Sequence, residues 1–120
     1  LRDPTRGGFA TTLNELARQS AVGMRIREAD LPVREDVSAA CELLGLDPLY
    51  VANEGKLIAI CPADQARRLL AAMRANPKGR DAALVGVVVE DPHQFVQMET
   101  AFGGQRIVDW LAGEQLPRIC

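Results

Sequence analysis

The spacing of hydrophobic positions changes several times along the chain, and each change marks an element. Phe9, Leu13, Leu16 and Ala17 recur at intervals of three and four, which predicts a helix over Gly8–Ser20. Residues 21–27 then alternate. Val22, Met24 and Ile26 point one way and Gly23, Arg25 and Arg27 the other, as in a strand with one buried face. Leu31-Pro32 makes a turn. A second helix over 34–44 directs Val37, Ala40, Cys41 and Leu44 inward and stops at Gly45.

Asp47-Pro48 makes another turn. Residues 49–52 and 56–60 read as two strands of a hairpin around a polar Asn53-Glu54-Gly55 corner. Pro62 suits the first turn of a third helix, striped by Ala66, Leu69, Leu70 and Met73 and ended by Asn76-Pro77. Residues 83–89 form a nearly continuous β-branched run, the pattern of a central strand buried on both faces. Short strands are expected at 95–100 and 106–111, flanking Gly103-Gly104. Residues 113–120 have no periodicity and contain Pro117, so they are expected to form an extended tail.

Helices alternate with strands and hairpins are mixed in. The expected fold is a two-layer α/β sandwich of α+β character, with a mixed sheet, helices on one face and an extended C-terminal tail. Residues 1–112 form one domain in this reading and 113–120 the tail. The strand order is not fixed by the pattern.

Composition narrows the function. The 120 residues suffice for one domain with its own core. The net charge is −2 with no long run of one sign, which leaves no electrostatic footprint for nucleic acid. No apolar run approaches the roughly 20 residues of a membrane span. The chain begins Leu1-Arg2-Asp3-Pro4-Thr5, without Met, and reads as the interior of a longer protein, so an N-terminal part is expected to precede it.

Three cysteines, Cys41, Cys61 and Cys120, fit neither a disulfide framework nor a zinc pattern, and His93 is the single histidine. Cys41 and Cys61 lie among apolar residues and read as buried, inert thiols. Cys120 ends the chain. His93 and the Arg67-Arg68 pair read as solvated, Phe102-Gly103-Gly104 as a tight turn, and Trp110 as core or a platform beneath the tail.

Three stretches together resemble one family. They are Asp3-Pro4-Thr5-Arg6-Gly7-Gly8 running into Ala10-Thr11-Thr12-Leu13-Asn14-Glu15; Leu43 through Lys56, with Asp47-Pro48-Leu49-Tyr50-Val51-Ala52-Asn53-Glu54-Gly55-Lys56 at its end; and Phe102-Gly103-Gly104 followed by Gln115-Leu116-Pro117-Arg118-Ile119-Cys120. In kind and order they are similar to the HypE family of hydrogenase expression/formation proteins. That family lies within the superfamily of aminoimidazole ribonucleotide synthetase and selenophosphate synthetase. The resemblance covers almost the whole chain, and Pro-Arg-Ile-Cys is its most specific mark.

The resemblance implies the C-terminal domain of a cytoplasmic, ATP-dependent carbamoyl dehydratase. Its N-terminal domain would dimerise and supply most of the ATP site. The carbamoyltransferase HypF would load a carbamoyl group onto Cys120. Dehydration would turn the thiocarbamate into a thiocyanate, whose cyanide passes to iron on a HypC–HypD complex. ATP and Mg2+ are the implied cofactors, and Glu54 of the Asn-Glu-Gly-Lys motif is the implied catalytic carboxylate.

The residues can be weighed against that chemistry. Eight extended tail residues reach roughly 26–29 Å, enough for a carrier thiol to visit two sites. An unperturbed thiol is only about 3% ionised at pH 7, and the terminal carboxylate opposes ionisation further, with Arg118 offsetting part. Loss of water from S–C(=O)–NH2 needs an activated oxygen and a base for two N–H protons. Glu54 is the candidate base and Asn53 the candidate orienter of the amide; the same residues are also ordinary hairpin-turn chemistry.

Gly7-Gly8 at a helix start offer N–H groups and a positive dipole end to phosphate. Thr5 can cap that helix, Arg6 adds charge and Asp3 can reach Mg2+ or its water. A plainly capped helix start has the same look. Two other functions fit less of the sequence. One is a related enzyme activating a small amide by phosphorylation, with no need of Cys120. The other is a non-enzymatic module whose tail docks on a partner.

Overall fold

The computed structural model describes residues 1–110. Its centre is a four-stranded mixed sheet of β1 (Gly23–Arg27), β2 (Gly86–Val89), β3 (Val96–Glu99) and β4 (Gln105–Ile107). The spatial order is β2-β1-β3-β4. β1 pairs antiparallel with β2 and parallel with β3, while β3 and β4 form an antiparallel hairpin. The helices are α1 (Gly8–Ser20), α2 (Glu35–Leu44) and α3 (Ala66–Ala75). The mixed sheet and three helices agree with the expected class.

The alternation in β1 dictates the layering. Met24 and Ile26 are buried with Val96 and Met98 of β3, whereas Arg25 and Arg27 are exposed. Register places Met24 opposite Val96 and Ile26 opposite Met98, so these four share one face. Ala10, Leu13 and Ala17 of α1 join them in the core, with Leu49 and Val108. α1 packs on β1 and β3 and on the 3-10 turn Pro48–Tyr50.

Several expectations are corrected. Residues 49–52 and 56–60 do not form a hairpin. Asp47 caps the 3-10 turn Pro48–Tyr50, its Oδ1 accepting the Leu49 N–H at 3.0 Å, so local turn chemistry outweighs the short apolar run. Ile58 instead makes an isolated antiparallel bridge with Arg2. That ladder cannot lengthen, because Pro4 stands two residues on and has no N–H to give.

The run 83–89 becomes a strand only from Gly86, and it lies at the sheet edge. Val87 and Val88 are exposed there, so β-branching reflected strand geometry and not two-sided burial. In α2 only Cys41 of the four supposed inward residues is buried; Val37, Ala40 and Leu44 are exposed. The final strand ends at Ile107. Cys41 is buried as expected, but Cys61 is only partly so.

Candidate active site

The site is built from the segment before α1 and the loop after the Pro48–Tyr50 turn. Gly7 and Gly8 both take left-handed backbone, with φ of +70° and +66°. Glycine is demanded at Gly8 by space as well. A Cβ there would lie 2.5 Å from the Val51 carbonyl oxygen and 2.6 Å from that of Leu49. The start of α1 is therefore pressed onto residues 49–51, and no side chain fits between them.

The expected cap is corrected. Gly7 occupies the N-cap position and no side chain caps α1, so Thr5 does not act through its hydroxyl. Its carbonyl oxygen accepts the Gly8 N–H at 3.3 Å, and its own N–H donates to the Asp3 carbonyl at 3.0 Å. The segment is thus a tight, self-bonded turn feeding a helix N-terminus, where the dipole end favours anions.

Three backbone bonds join this segment to the Asn-Glu-Gly-Lys loop. The Asn53 N–H donates to the Pro4 carbonyl at 3.1 Å. On the far side, Arg2 N–H donates to the Ile58 carbonyl at 2.9 Å and Ile58 N–H to the Arg2 carbonyl at 2.7 Å. Residues 54–57 project between these two tie points. Arg2 also forms an ion pair with Glu15 of α1, bracing the strip against the helix. Pro4 is fully buried beneath it.

The two groups of candidate residues, 50 positions apart in sequence, therefore share one surface. Asp3, Arg6 and Glu54 are exposed on it; Thr5, Gly7 and Asn53 are half-buried, and Gly8 is buried. Gly55 turns the loop with φ +73°, and among the described residues nothing lies within 4 Å of where its Cβ would stand. Among the described residues no three His, Cys, Asp or Glu side chains are grouped to hold a metal. Asp3 offers one exposed carboxylate beside the Gly7-Gly8 turn, an oxygen donor of the kind Mg2+ takes.

Cys120 lies outside the described residues, as does the tail expected at 113–120. What the pattern did not reveal is how firmly the preceding residues are held. Asn14 Nδ2 donates to the carbonyls of Ala10 and Val108, each at 2.9 Å. The Tyr50 phenol donates to the Asp109 carbonyl at 2.8 Å, and Arg106 pairs with Asp47 Oδ2 at 2.7 Å. Trp110, half-buried, lies under the Arg18 guanidinium, 4.8 Å from the ring centre. The available signal was Asn14, a polar residue four positions from both Ala10 and Arg18 on the buried side of α1.

The electrostatics follow from this packing. Burial pushes the Tyr50 phenol above its ordinary pKa, Asp47 and Asp109 add to the rise, and Arg106 opposes it. The Arg106 guanidinium is held more strongly protonated than usual, chiefly by its hydrogen bond to Asp47. His93 is exposed and stacks on Phe95, Arg67 and Arg68 are solvated, and Phe102 lies in the turn before β4, all outside the site.

A mixed sheet, a glycine turn feeding α1 and a loop bonded to that turn define a class. Residues 1–99 match the family described as AIR synthase related protein, C-terminal domain, and the chain belongs to that family. Within it, the chain is 75% identical over all 120 residues to carbamoyl dehydratase HypE of Azotobacter vinelandii, and spans 35% of that protein. A crystal structure of the hydrogenase maturation protein HypE in complex with ATP matches 99% of the chain at 52% identity and TM-score 0.91, over 37% of the solved chain. A HypE–HypF complex matches 92% of the chain at 43% identity and TM-score 0.87, over 35% of the solved chain. The chain thus spans about a third of the length of the curated relative it matches.

Proposed function

We propose that this chain is the C-terminal part of an ATP-dependent carbamoyl dehydratase acting in hydrogenase maturation, with Cys120 carrying the reacting group. In this reading residues 1–112 are the catalytic protein's second domain and 113–120 the arm. The observation that carries the reading is the Asn53–Pro4 bond, which sets the candidate base beside the candidate phosphate turn. The likeness to a HypE that binds ATP supports the cofactor, and the HypE–HypF complex supports a carbamoyltransferase as partner. Mg2+, a HypC–HypD iron carrier, dimerisation through a further domain and a cytoplasmic setting belong to the same proposal. No helix among the described residues is long and apolar enough to cross a membrane.

The thiocarbamate oxygen takes the γ-phosphoryl group of ATP as one N–H proton leaves. Phosphate then departs with that oxygen as the second N–H proton leaves, giving S–C≡N and ADP. Glu54 would receive the protons and Asn53 would orient the amide, while Gly7, Gly8, Arg6 and Thr5 would hold the phosphates and Asp3 the Mg2+. Positioned proton transfer of this kind contributes typically 10²–10⁴-fold.

Intact mass spectrometry on the complete protein, supplied with the carbamoyltransferase, carbamoyl phosphate and ATP, tests this. The expected result is an adduct on Cys120 that then loses one water. An equal adduct on Cys120→Ala overturns the assignment.

A further inference from the structure

The loop that carries Asn53 and Glu54 is rooted at both ends on one short strip, Arg2 to Pro4. At the near root the Asn53 N–H donates to the Pro4 carbonyl at 3.1 Å, and Pro4 is fully buried. Just before it, the Leu49 and Val51 carbonyls press on Gly8, so the start of α1 holds this root as well. At the far root Arg2 and Ile58 exchange two backbone bonds, of 2.9 and 2.7 Å, in an isolated bridge. Arg2 lacks the burial of Pro4, since 41% of its side chain is exposed. Its guanidinium is instead anchored on the Glu15 carboxylate of α1. Glu15 lies about two turns into the helix that the Gly7-Gly8 turn begins. One ion pair therefore ties the far root of the candidate catalytic loop to the helix that carries the candidate phosphate turn.

We propose that Glu15 is a positioning residue: through Arg2 it fixes the far root of the 53–58 loop and so sets Glu54 against the Gly7-Gly8 turn. This deepens the dehydratase reading and rests on it. Without the pair, the strip that supplies the Ile58 bonds loses its tie to α1. The near root keeps its own bond to Pro4. The turn keeps its closure too, with Thr5 N–H on the Asp3 carbonyl and Gly8 N–H on the Thr5 carbonyl. The defect should therefore fall on proton transfer, which suffers from small displacements of the base, and not on ATP binding. Folding should be spared as well, because an ion pair this exposed contributes little to stability.

The test uses the complete protein, S-carbamoylated on Cys120, with ATP-dependent loss of water followed by intact mass in single turnovers at several ATP concentrations. Glu15→Met keeps the length and helix preference of the side chain and removes the carboxylate. It should slow water loss at saturating ATP by about three- to ten-fold. The half-saturating ATP concentration and the urea midpoint should not move. Arg2→Met should show the same slowing, and the double variant should be no slower than either. On a Glu54→Gln background Glu15→Met should slow the reaction no further, because displacement is without effect where the base is already gone.

Glu15→Met and Arg2→Met proteins as fast as wild type overturn the inference. So does a slowing matched by a rise in the half-saturating ATP concentration, which would place the pair in support of the turn. A slowing that persists in full on the Glu54→Gln background also overturns it, since the pair would then act on the fold and not through Glu54. If wild type shows no ATP-dependent loss of water, the dehydratase reading fails and takes the inference with it. That outcome is distinct from the others, which leave the reading standing.

Discussion

The backbone N–H of Asn53 donates to the carbonyl of Pro4, 3.1 Å away, and this bond joins two segments that the sequence separates by about two-fifths of its length. Pro4 contributes in two ways. Its missing N–H stops the Arg2–Ile58 bridge from growing into a ladder, and its carbonyl remains for Asn53. A continuous strand pair would keep residues 54–56 in the sheet plane. The interrupted pair leaves Glu54 and Gly55 in a turn.

Glu54 stands in that turn, and its carboxylate is the proposed base. Glu54→Gln keeps size and hydrogen bonding but cannot accept a proton. In the complete protein it should acquire the carbamoyl adduct on Cys120 normally and lose water about 10²–10⁴-fold more slowly. Time-resolved intact mass checks this. Normal water loss in the variant would remove Glu54 from the proton transfers.

Gly8 and Gly55 both have positive φ but differ in surroundings, so alanine should separate strain from crowding. Gly55→Ala meets nothing among the described residues and pays there only for left-handed backbone, about 1 kcal/mol. Gly8→Ala adds collision with two carbonyl oxygens that belong to backbone and cannot swing aside. It should cost about 3 kcal/mol or more and part α1 from residues 49–51. Urea unfolding of the two variants measures the difference. Equal midpoints would mean that the contact of α1 with this turn is loose.

Much of this was legible in the sequence where pattern and burial agree. The helix over Gly8–Ser20 and the alternation through Met24 and Ile26 both lie in the core, so period and environment coincide. Legibility failed where a short apolar run had competing local chemistry. Leu49-Tyr50 looked like strand, yet Asp47 and Pro48 wind it into a 3-10 turn. It failed again where apolar residues are not buried by the described chain, as with Val87 on the edge strand and Leu44 on α2. The site residues were identified from motifs and the family resemblance. That Pro4 and Asn53 touch is a fact of tertiary folding, and no local pattern encodes it.

Asn14 is a buried polar residue whose amide nitrogen serves two carbonyls, one in its own helix and one at Val108. Asn14→Ala removes the donor and leaves the buried Val108 carbonyl without it, a loss of about 1–3 kcal/mol. Asn14→Asp should be worse. Once ionised, its carboxylate would face carbonyl oxygens with no hydrogen to offer, so the penalty should grow as pH rises through the carboxyl range near 4. Thermal unfolding of both variants at acid and neutral pH reads this directly. An aspartate variant that gains stability on going to neutral pH would contradict the geometry.

Tyr50 supplies the pH-dependent counterpart. Its pKa is raised in the folded chain, mainly by burial and then by Asp47, so folding favours the neutral phenol. A raised folded value gives stability that is intact below the unfolded value, about 10 for tyrosine, and is lost as pH climbs from there through the folded one. Ionisation also destroys the donor that holds the Asp109 carbonyl, so the end of the described segment should loosen in the same window. Tyr50 is the single tyrosine of this chain, so phenolate absorbance reports it alone. Its midpoint should exceed that of a tyrosine peptide, and Tyr50→Phe should remove this component from the alkaline loss of stability. Asp47→Asn should lower the midpoint, since it takes away a negative charge that resists ionisation and releases Arg106 from its carboxylate. A wild-type midpoint at the peptide value would mean that the phenol is neither buried nor bonded, and the hold on Asp109 would have to be assigned elsewhere.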